Sequence, residues 1–274
     1  MKNHKYRIVV ILLFGLLFFS NSIVFAQQNL RMAVKINSKN LIKTDSTLVF
    51  LPQNYQQEQA TKFPLLFMLH GHSGNYKTWN TIINLQEYAN KYGFIIVCPD
   101  GLYDSWYLNS PNIPKQQYAD FFFQDLYPFF IKNYKIDTNK VFITGFSMGG
   151  YGAFSLFLQR PDLFKSVAAT SALFDLSLYA KSYGLTKILG NFDATIWQKY
   201  SIIEQMKKWK TKNKAIYFDC GKADVFLQNN IDFDKKCREL AIKTTFVIAE
   251  GEHNRAYWAK NIGQHFEFFS KLSE

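Results

Sequence analysis

Residues 141–150 constrain the fold more than any other part of the chain. They read Val-Phe-Ile-Thr-Gly-Phe-Ser-Met-Gly-Gly, so a short apolar run leads directly into the pattern G-x-S-x-G. In this pattern a buried strand turns sharply into a helix, and the serine at the apex takes a strained backbone conformation. Glycine is needed on both sides of the apex because a Cβ would collide across the turn. We therefore predict a strand that ends at Gly145, a nucleophilic candidate at Ser147 and a helix over Met148–Gln159.

Apolar runs alternate with segments of helical spacing along most of the chain. Continuous short apolar runs are typical of strands that are covered on both faces of a sheet. The runs predicted as strands are 46–51, Phe63–Leu69, 94–98, 141–145, Ser166–Thr170, 215–220 and Thr244–Ala249. The segments predicted as helices include 79–91, 117–134, Met148–Gln159 and 257–271. This alternation predicts an α/β fold with a mostly parallel central sheet and helices on both faces.

Residues 172–212 interrupt the alternation. They lack a strand period and carry Gly184, Gly190 and several aromatic residues, so we expect a largely helical insertion or lid. The whole chain of 274 residues is long enough for one sizeable core. No repeat or linker divides it, and we predict a single domain over residues 27–274.

The first 26 residues have the pattern of a secretory signal peptide. Three basic residues precede an apolar run over residues 8–19, and Val24-Phe25-Ala26 resembles a cleavage site. The run is shorter than the roughly 20 apolar residues that a membrane span needs, which favours a cleaved signal peptide. An uncleaved N-terminal anchor is the alternative. We expect an exported protein, periplasmic or secreted, with no stable membrane insertion after cleavage.

Composition narrows the classes of partner. The formal net charge is +11, but most lysines are scattered, which favours a solvated basic face over a nucleic-acid site. The three cysteines, Cys98, Cys220 and Cys237, make no disulfide framework and match no metal-ligand spacing. We therefore expect no cofactor, no metal and no nucleic acid. The sequence leaves the oligomeric state open.

A serine hydroxyl becomes a good nucleophile only beside a general base that an acid orients. In folds built around this serine turn, the order along the chain is serine, acid, histidine, each on a loop after a strand. The histidines that follow Ser147 are His253 and His265. His265 falls inside the terminal helix, where a packed or solvated histidine is the ordinary interpretation. His253 directly follows the strand Thr244–Ala249, so we predict that it is the base.

Asp219 and Asp224 are the candidates for the acid. Asp219 lies within the predicted strand 215–220, where its side chain would point to a sheet face or edge. Asp224 lies on the loop beyond the carboxyl end of that strand, where active sites of open α/β sheets gather. We predict Asp224.

Two backbone N–H groups are needed to stabilise the negative charge that develops on the substrate oxygen. One should come from Met148, directly after the nucleophile. The second should come from His72, through its backbone, in the loop His70-Gly71-His72-Ser73-Gly74 that follows the strand Phe63–Leu69. The ring of His70 should brace this loop. A His70/His72 metal site is disfavoured because no acidic or sulfur partner is placed beside it.

These motifs resemble the esterase D-like group of α/β-hydrolases, which includes feruloyl, acetylxylan and tributyrin-type esterases, S-formylglutathione hydrolases and mycolyltransferase antigens. The matching stretches include 65–74, Pro99-Asp100-Gly101, Ser105-Trp106-Tyr107 and 145–154 followed by 160–164. The resemblance implies an α/β-hydrolase fold and a Ser147–His253–Asp224 triad that forms an acyl-enzyme. It also implies that Trp106 and Tyr107 line the substrate pocket. The chain departs from the group at His72, where relatives commonly have an apolar residue, and over 172–212.

The function expected from this resemblance is that of an exported serine carboxylesterase acting on a small-molecule or polysaccharide ester, most plausibly acetyl or feruloyl esters of carbohydrate. An acyltransferase of the mycolyltransferase type needs the same triad, and a siderophore-ester hydrolase is also open. A non-catalytic carbohydrate-binding protein on a hydrolase scaffold is the alternative of another class, since fold does not fix function.

Overall fold

The computed structural model describes residues 30–57, 60–209 and 213–274. The expected signal peptide, residues 1–26, lies outside the described residues, as does the expected start of the domain at residue 27. The described residues form one sheet with the strands β1 (Arg31–Ile36), β2 (Asp45–Phe50), β3 (Phe63–Leu69), β4 (Ile95–Pro99), β5 (Ile136–Gly145), β6 (Ser166–Thr170), β7 (Ile216–Gly221) and β8 (Thr244–Ala249).

The strands lie in the order β1-β2-β4-β3-β5-β6-β7-β8. The pairs β1–β2 and β2–β4 are antiparallel, and the remaining neighbours are parallel. The strands β4, β6 and β7 are buried along their whole length. Since helices cover both of their faces, such strands are continuous apolar runs and not alternating ones. The edge strand β1 alternates between exposed and less exposed residues.

The helices are α1 (Thr78–Ile82), α2 (Leu85–Tyr92), α3 (Tyr118–Phe121), α4 (Tyr127–Asn133), α5 (Met148–Gln159), α6 (Leu185–Leu189), α7 (Ala194–Trp197), α8 (Ile202–Lys208), α9 (Leu227–Glu239) and α10 (Arg255–Lys271). Short 3₁₀ turns lie at Pro161–Leu163, Leu176–Tyr179 and Gln198–Tyr200. Among the described residues, no helix is both long enough and apolar enough to cross a bilayer.

Two hydrophobic cores lie on opposite faces of the sheet. One contains side chains of α1, α2 and α10, such as Trp79 and Phe266. The other contains side chains of α5, α9 and the segment after β6, such as Phe154, Phe174 and Phe233. Full burial of one such side chain contributes about 1.5–3 kcal/mol. The two cores therefore hold the central strands rigidly between helical layers.

The predicted fold class is confirmed, but two predicted helices are interrupted. The segment 79–91 divides into α1 and α2 at Ile83, whose backbone is extended. The segment 117–134 contains a π-helical turn, Phe122–Leu126, between α3 and α4. Pro128 lies in the first turn of α4, and the α-helical ladder cannot run unbroken through a residue that has no N–H.

The segment 172–212 is largely helical where it is described, as predicted. It packs on the body of the protein through specific hydrogen bonds. The indole Nε1–H of Trp106 donates to the carbonyl of Tyr183 at 3.1 Å, and the Tyr151 hydroxyl donates to the carbonyl of Tyr200 at 2.7 Å. Lys187 forms an ion pair of 2.8 Å with Asp104. These contacts fix the insertion against α5 and against the loop that follows β4.

The carboxyl ends of the parallel strands meet at one edge of the sheet, where ligand sites of open α/β sheets lie. The loops after β3, β5, β7 and β8 carry His72, Ser147, Asp224 and His253, respectively. The topology thus brings the residues singled out in the sequence to the same edge.

Candidate active site

The serine turn between β5 and α5 is strained. Ser147 has φ 54° and ψ −121°, a conformation that non-glycine residues hold only when the surrounding structure enforces it. A Cβ on Gly145 would lie 2.3 Å from the carbonyl oxygen of Gly149, and one on Gly149 would lie 2.3 Å from that of Leu69. Both glycines are therefore required by close backbone approach, and the Ser147 N–H is held by the carbonyl of Thr170 at 3.1 Å.

A chain of hydrogen bonds joins Ser147, His253 and Asp224. His253 Nε2 lies 2.9 Å from Ser147 Oγ, and its Nδ1 lies 3.0 and 3.1 Å from the two carboxylate oxygens of Asp224. When the ring proton is on Nδ1 and is hydrogen-bonded to the carboxylate of Asp224, Nε2 is free to accept the serine proton. The structure thus brings together the three residues that the sequence predicted as a triad.

The side chain of Asp224 is fully buried, yet its carboxyl group is ionised. Burial alone raises the pKa of this carboxyl, but the hydrogen bond and charge of His253 outweigh it and hold the pKa below its usual range. The Phe226 N–H also donates to Oδ1 at 2.8 Å. A carboxylate ionised at neutral pH is what is needed to fix the tautomer of the neighbouring imidazole.

His253 is held by the loop between β8 and α10. Asn254, the next residue, caps α10 by accepting the Tyr257 N–H at 3.0 Å. The imidazole ring packs edge-to-face against Phe226 and Trp258, with centroids 4.7 and 5.3 Å away. About a fifth of the His253 side chain, 22%, is exposed, so the base is reachable from solvent.

The ring of His70 braces the loop after β3, as expected. Its Nε2 accepts the Gly101 N–H at 2.8 Å, and its Nδ1 lies 2.7 Å from the carbonyl of Gly71. These partners assign the proton to Nδ1 of a neutral ring. Burial lowers the pKa of His70 to about 4, so the ring stays neutral at physiological pH. The hydrogen bond from Gly101 joins the loops after β3 and β4.

His72 lies at the tip of that loop. Within residues 30–57, 60–209 and 213–274, the N–H groups of His72 and Met148 donate to no backbone carbonyl, which leaves both free for a substrate oxygen. The His72 ring packs edge-to-face against Tyr103 and Tyr183, at 5.0 and 5.7 Å. Burial lowers its pKa, although the charge of Asp104 opposes the shift. The ring thus belongs to the surface around the site, which the sequence argument did not consider.

Tyr107 is the second residue that was predicted to line the substrate pocket. It is fully buried, and its hydroxyl donates to the carbonyl of His70 at 2.9 Å. Its ring fills the space beside Gly101 and Gly152, where added Cβ atoms would lie 2.3 Å away. A side chain so enclosed supports the loop after β3, and its contact with substrate stays a prediction.

Trp106 is also buried, with 1% of its surface exposed. Its ring packs against Tyr151 of α5 and Tyr183 of the insertion, with centroids 5.7 and 6.4 Å away. Trp106 and Tyr107 both have positive φ angles of 52° and 58°, so this turn is itself constrained. Trp106 links α5 to the insertion, and its contact with substrate stays a prediction.

The sequence analysis missed a chain of aromatic rings that adjoins His253. We call the rings of His72, Tyr103, Tyr179, Tyr183 and Phe226 the aromatic rim. Successive rings along it lie 4.7 to 6.2 Å apart, from the His72 loop through Tyr183 and Phe226 to His253. Tyr103 is 63% exposed and Tyr183 is 39% exposed. The position of Tyr103 just beyond the end of β4 was the available sequence signal.

Asp219 and His265, the alternatives for the acid and the base, lie elsewhere. They pair with each other, with Nε2 of His265 2.6 Å from Oδ2 of Asp219, and both are fully buried. Neither is a hydrogen-bond partner of His253. Among the described residues, no group of three or more His, Cys, Asp and Glu side chains has metal-binding geometry, and the three cysteines are buried and free.

Comparison with known proteins assigns the family. The Esterase family, described as "Putative esterase", matches residues 38–269. The chain belongs to this family. An acetyl esterase of Caldicellulosiruptor saccharolyticus is 26% identical to this esterase over 265 residues, covering 89% of the chain and 99% of the relative. The S-formylglutathione hydrolase of Mus musculus is 27% identical over 250 residues, covering 81% and 87%.

Solved structures agree with the fold. The fluorophosphonate-binding serine hydrolase FphF of Staphylococcus aureus has a TM-score of 0.79 and 22% identity, covering 88% of this esterase and 98% of that chain. At this level of identity the likeness shows the fold alone. The resemblance drawn from the sequence motifs is confirmed for the family and for the α/β-hydrolase fold.

Proposed function

We propose that this esterase hydrolyses carboxylic esters through a covalent acyl-enzyme on Ser147. The observation that carries the proposal is the hydrogen-bond chain from Ser147 Oγ through His253 to Asp224, at 2.9 and 3.0 Å, beneath a strained serine turn. A serine, a base and an orienting acid within hydrogen-bond reach are the parts that nucleophilic ester cleavage needs.

In the first half of the reaction, Ser147 Oγ attacks the ester carbonyl while His253 Nε2 accepts the hydroxyl proton. Asp224 holds the imidazole in the correct tautomer and stabilises the imidazolium that forms. The carbonyl oxygen becomes an oxyanion, which accepts hydrogen bonds from the backbone N–H groups of Met148 and His72. The N-terminal end of α5 adds its positive dipole to the same charge.

The first tetrahedral intermediate then collapses, the imidazolium of His253 gives its proton to the departing alkoxide, and the acyl group stays on Ser147. In the second half, water enters, His253 Nε2 removes its proton, and the hydroxide attacks the acyl carbonyl. The second tetrahedral intermediate collapses, releases the carboxylic acid and returns the proton to Ser147. A sugar hydroxyl in the place of water would make the same site an acyltransferase.

Acylated carbohydrate is the substrate class that the surroundings of the serine favour, with acetyl or feruloyl as the acyl group. The aromatic rim includes the exposed rings of Tyr103 and Tyr183 and continues through Phe226 to His253. Aromatic faces suit the apolar faces of sugar rings and of planar acyl groups. The acetyl esterase relative supports an acetyl group. Export through residues 1–26 would place the enzyme where polysaccharide is found.

The function is tested with a panel of esters given to the protein lacking residues 1–26. The panel contains p-nitrophenyl acetate, methyl ferulate, acetylated xylo-oligosaccharide and S-formylglutathione. We expect the oxygen esters to be hydrolysed with a higher kcat/KM than the thioester, and the acetylated oligosaccharide or the ferulate to be preferred. Turnover of S-formylglutathione alone would contradict the proposed substrate class.

Removing the exposed rings of the rim should weaken the binding of large substrates. Tyr183→Ala and Tyr103→Ala are each expected to raise KM for acetylated xylo-oligosaccharide about threefold to tenfold, the size of one aromatic contact. The kcat/KM for methyl acetate should stay unchanged, because this ester is too small to reach the rim. Phe192→Ala is the matched control, since Phe192 is an exposed ring of the same insertion outside the rim. An equal KM for the oligosaccharide in all four proteins would exclude this role.

A further inference from the structure

A second hydroxyl–imidazole–carboxylate chain lies buried beneath the serine turn. His265 of α10 places Nε2 2.6 Å from Oδ2 of Asp219 on β7. Its Nδ1 lies 2.8 Å from the hydroxyl of Thr144 on β5, and the Thr170 hydroxyl on β6 donates to Oδ1 of Asp219 at 2.7 Å. All four residues are fully buried. We call these four residues the buried network.

One assignment of the protons satisfies all three hydrogen bonds of the network. If His265 Nε2–H donates to Asp219, its Nδ1 accepts the Thr144 hydroxyl, and the second carboxylate oxygen accepts the Thr170 hydroxyl. A buried carboxylate is nevertheless a costly way to join a helix to a sheet, because apolar side chains of similar size often give equal or greater stability. Where such a group persists, a requirement for one particular geometry is the best-attested reason.

The network contacts the residues that hold the nucleophile. Thr144 directly precedes Gly145, the first glycine of the serine turn. The backbone of Thr170 accepts the Ser147 N–H at 3.1 Å and forms a bridge with Phe146. The backbone carbonyl of Asp219 accepts the Ser171 N–H at 2.8 Å. The network therefore joins the ends of β5, β6 and β7 just below the strained serine.

We propose that His265 and Asp219 are positioning residues that hold the ends of β5 and β6 in the spacing that the strained conformation of Ser147 requires. The proposal rests on the proposed function of Ser147 as nucleophile. Strained backbone persists only where its surroundings over-determine it, and side chains reaching both Thr144 and Thr170 provide that constraint from the α10 side of the sheet. A small misplacement of the nucleophile is enough to slow attack by a large factor.

The test compares His265→Leu with His265→Gln, which keeps one polar contact, and with Tyr217→Phe. Tyr217 is the matched control, because its hydroxyl bonds Gln264 at 2.6 Å and so joins the same strand and helix. Tyr217→Phe removes only that hydroxyl and keeps the ring, which packs against His265 with centroids 5.0 Å apart. Two quantities are measured per folded molecule: kcat and KM for p-nitrophenyl acetate, and the rate at which a fluorophosphonate labels Ser147. A melting temperature is recorded for each protein.

For His265→Leu we expect kcat and the labelling rate to fall together, about 10- to 100-fold, with KM within twofold. His265→Gln should recover part of the loss, and Tyr217→Phe should lower the melting temperature without changing kcat. If His265→Leu does not fold, Thr144→Val decides the matter, since it removes one hydroxyl at nearly constant volume. It should lower kcat and the labelling rate about threefold to tenfold.

A lowered melting temperature with unchanged kcat and labelling rate in the His265 and Thr144 variants would overturn the positioning role and leave a purely structural network. Failure of the proposed function would give a different result, because the wild-type protein itself would then show no labelling of Ser147.

Discussion

Replacing Ser147 with alanine is expected to lower kcat for every ester about 10⁶-fold, the size of the loss when the nucleophile of a serine hydrolase is removed. No other hydroxyl is a hydrogen-bond partner of His253 Nε2 among the described residues. Alanine keeps the Cβ at φ 54°, so the backbone strain and the fold should be retained. The measurement is kcat for p-nitrophenyl acetate, with circular dichroism to confirm folding.

Ser155→Ala is the matched control for this substitution. Ser155 is a buried serine of α5 whose hydroxyl accepts a hydrogen bond from Gln159 in the same helix, so its loss should leave kcat within about twofold. Ser147→Ala enzyme that keeps a substantial fraction of wild-type turnover would place the chemistry at another site.

Replacing Asp224 with asparagine is expected to lower kcat about 10⁴-fold, as in the equivalent change in a serine protease. The amide would donate its N–H to Nδ1 of His253 and so move the ring proton to Nε2. A protonated Nε2 cannot accept the proton of Ser147. The quantity to measure is kcat between pH 5 and 8. The wrong tautomer of His253 and the lost charge of residue 224 should lower kcat at every pH in that range.

The lowered pKa of Asp224 sets the pH window of this prediction. The wild-type carboxylate stays charged until the pH falls below the usual aspartate value of about 3.9. The stability that this charge contributes is therefore present above that value and is lost as the pH falls through the lower folded pKa. Asp224→Asn should lack this acid transition in a melting series. Asp219→Asn is the comparison, because Asp219 does not contact His253, and a larger loss of kcat in that variant would contradict the assigned acid.

The central features of the site were predictable because they depend on local backbone chemistry. Gly145 and Gly149 lie four residues apart and form a recognisable pattern with Ser147, although the close approach of Gly149 to Leu69 is visible only in the structure. His253 and Asp224 were found from their positions after predicted strands, since parallel strands deliver their carboxyl ends to one edge of a sheet. Neither inference requires knowledge of packing.

The remaining features depend on contacts between distant segments. Tyr183 contacts both His72 and Phe226 only because the insertion folds back over the sheet edge, and none of these segments alone indicates it. The pair of Asp219 and His265 spans two elements, so His265 looked like an ordinary helix residue. The burial of both Trp106 and Tyr107 was likewise not predictable from the sequence, because it depends on contacts with α5, the loop after β3 and the insertion.

The most direct test of the proposed acyl-enzyme is to measure the mass of the enzyme during turnover. The protein is mixed with p-nitrophenyl acetate, quenched in acid within the first turnovers and digested for peptide mass spectrometry. We expect one added acetyl group on the peptide containing Ser147, with no such adduct in Ser147→Ala and a much slower appearance of the adduct when His253 is replaced by glutamine, because His253 is the base for acylation. Hydrolysis without an adduct on Ser147, or an adduct on another residue, would contradict the proposed acyl-enzyme.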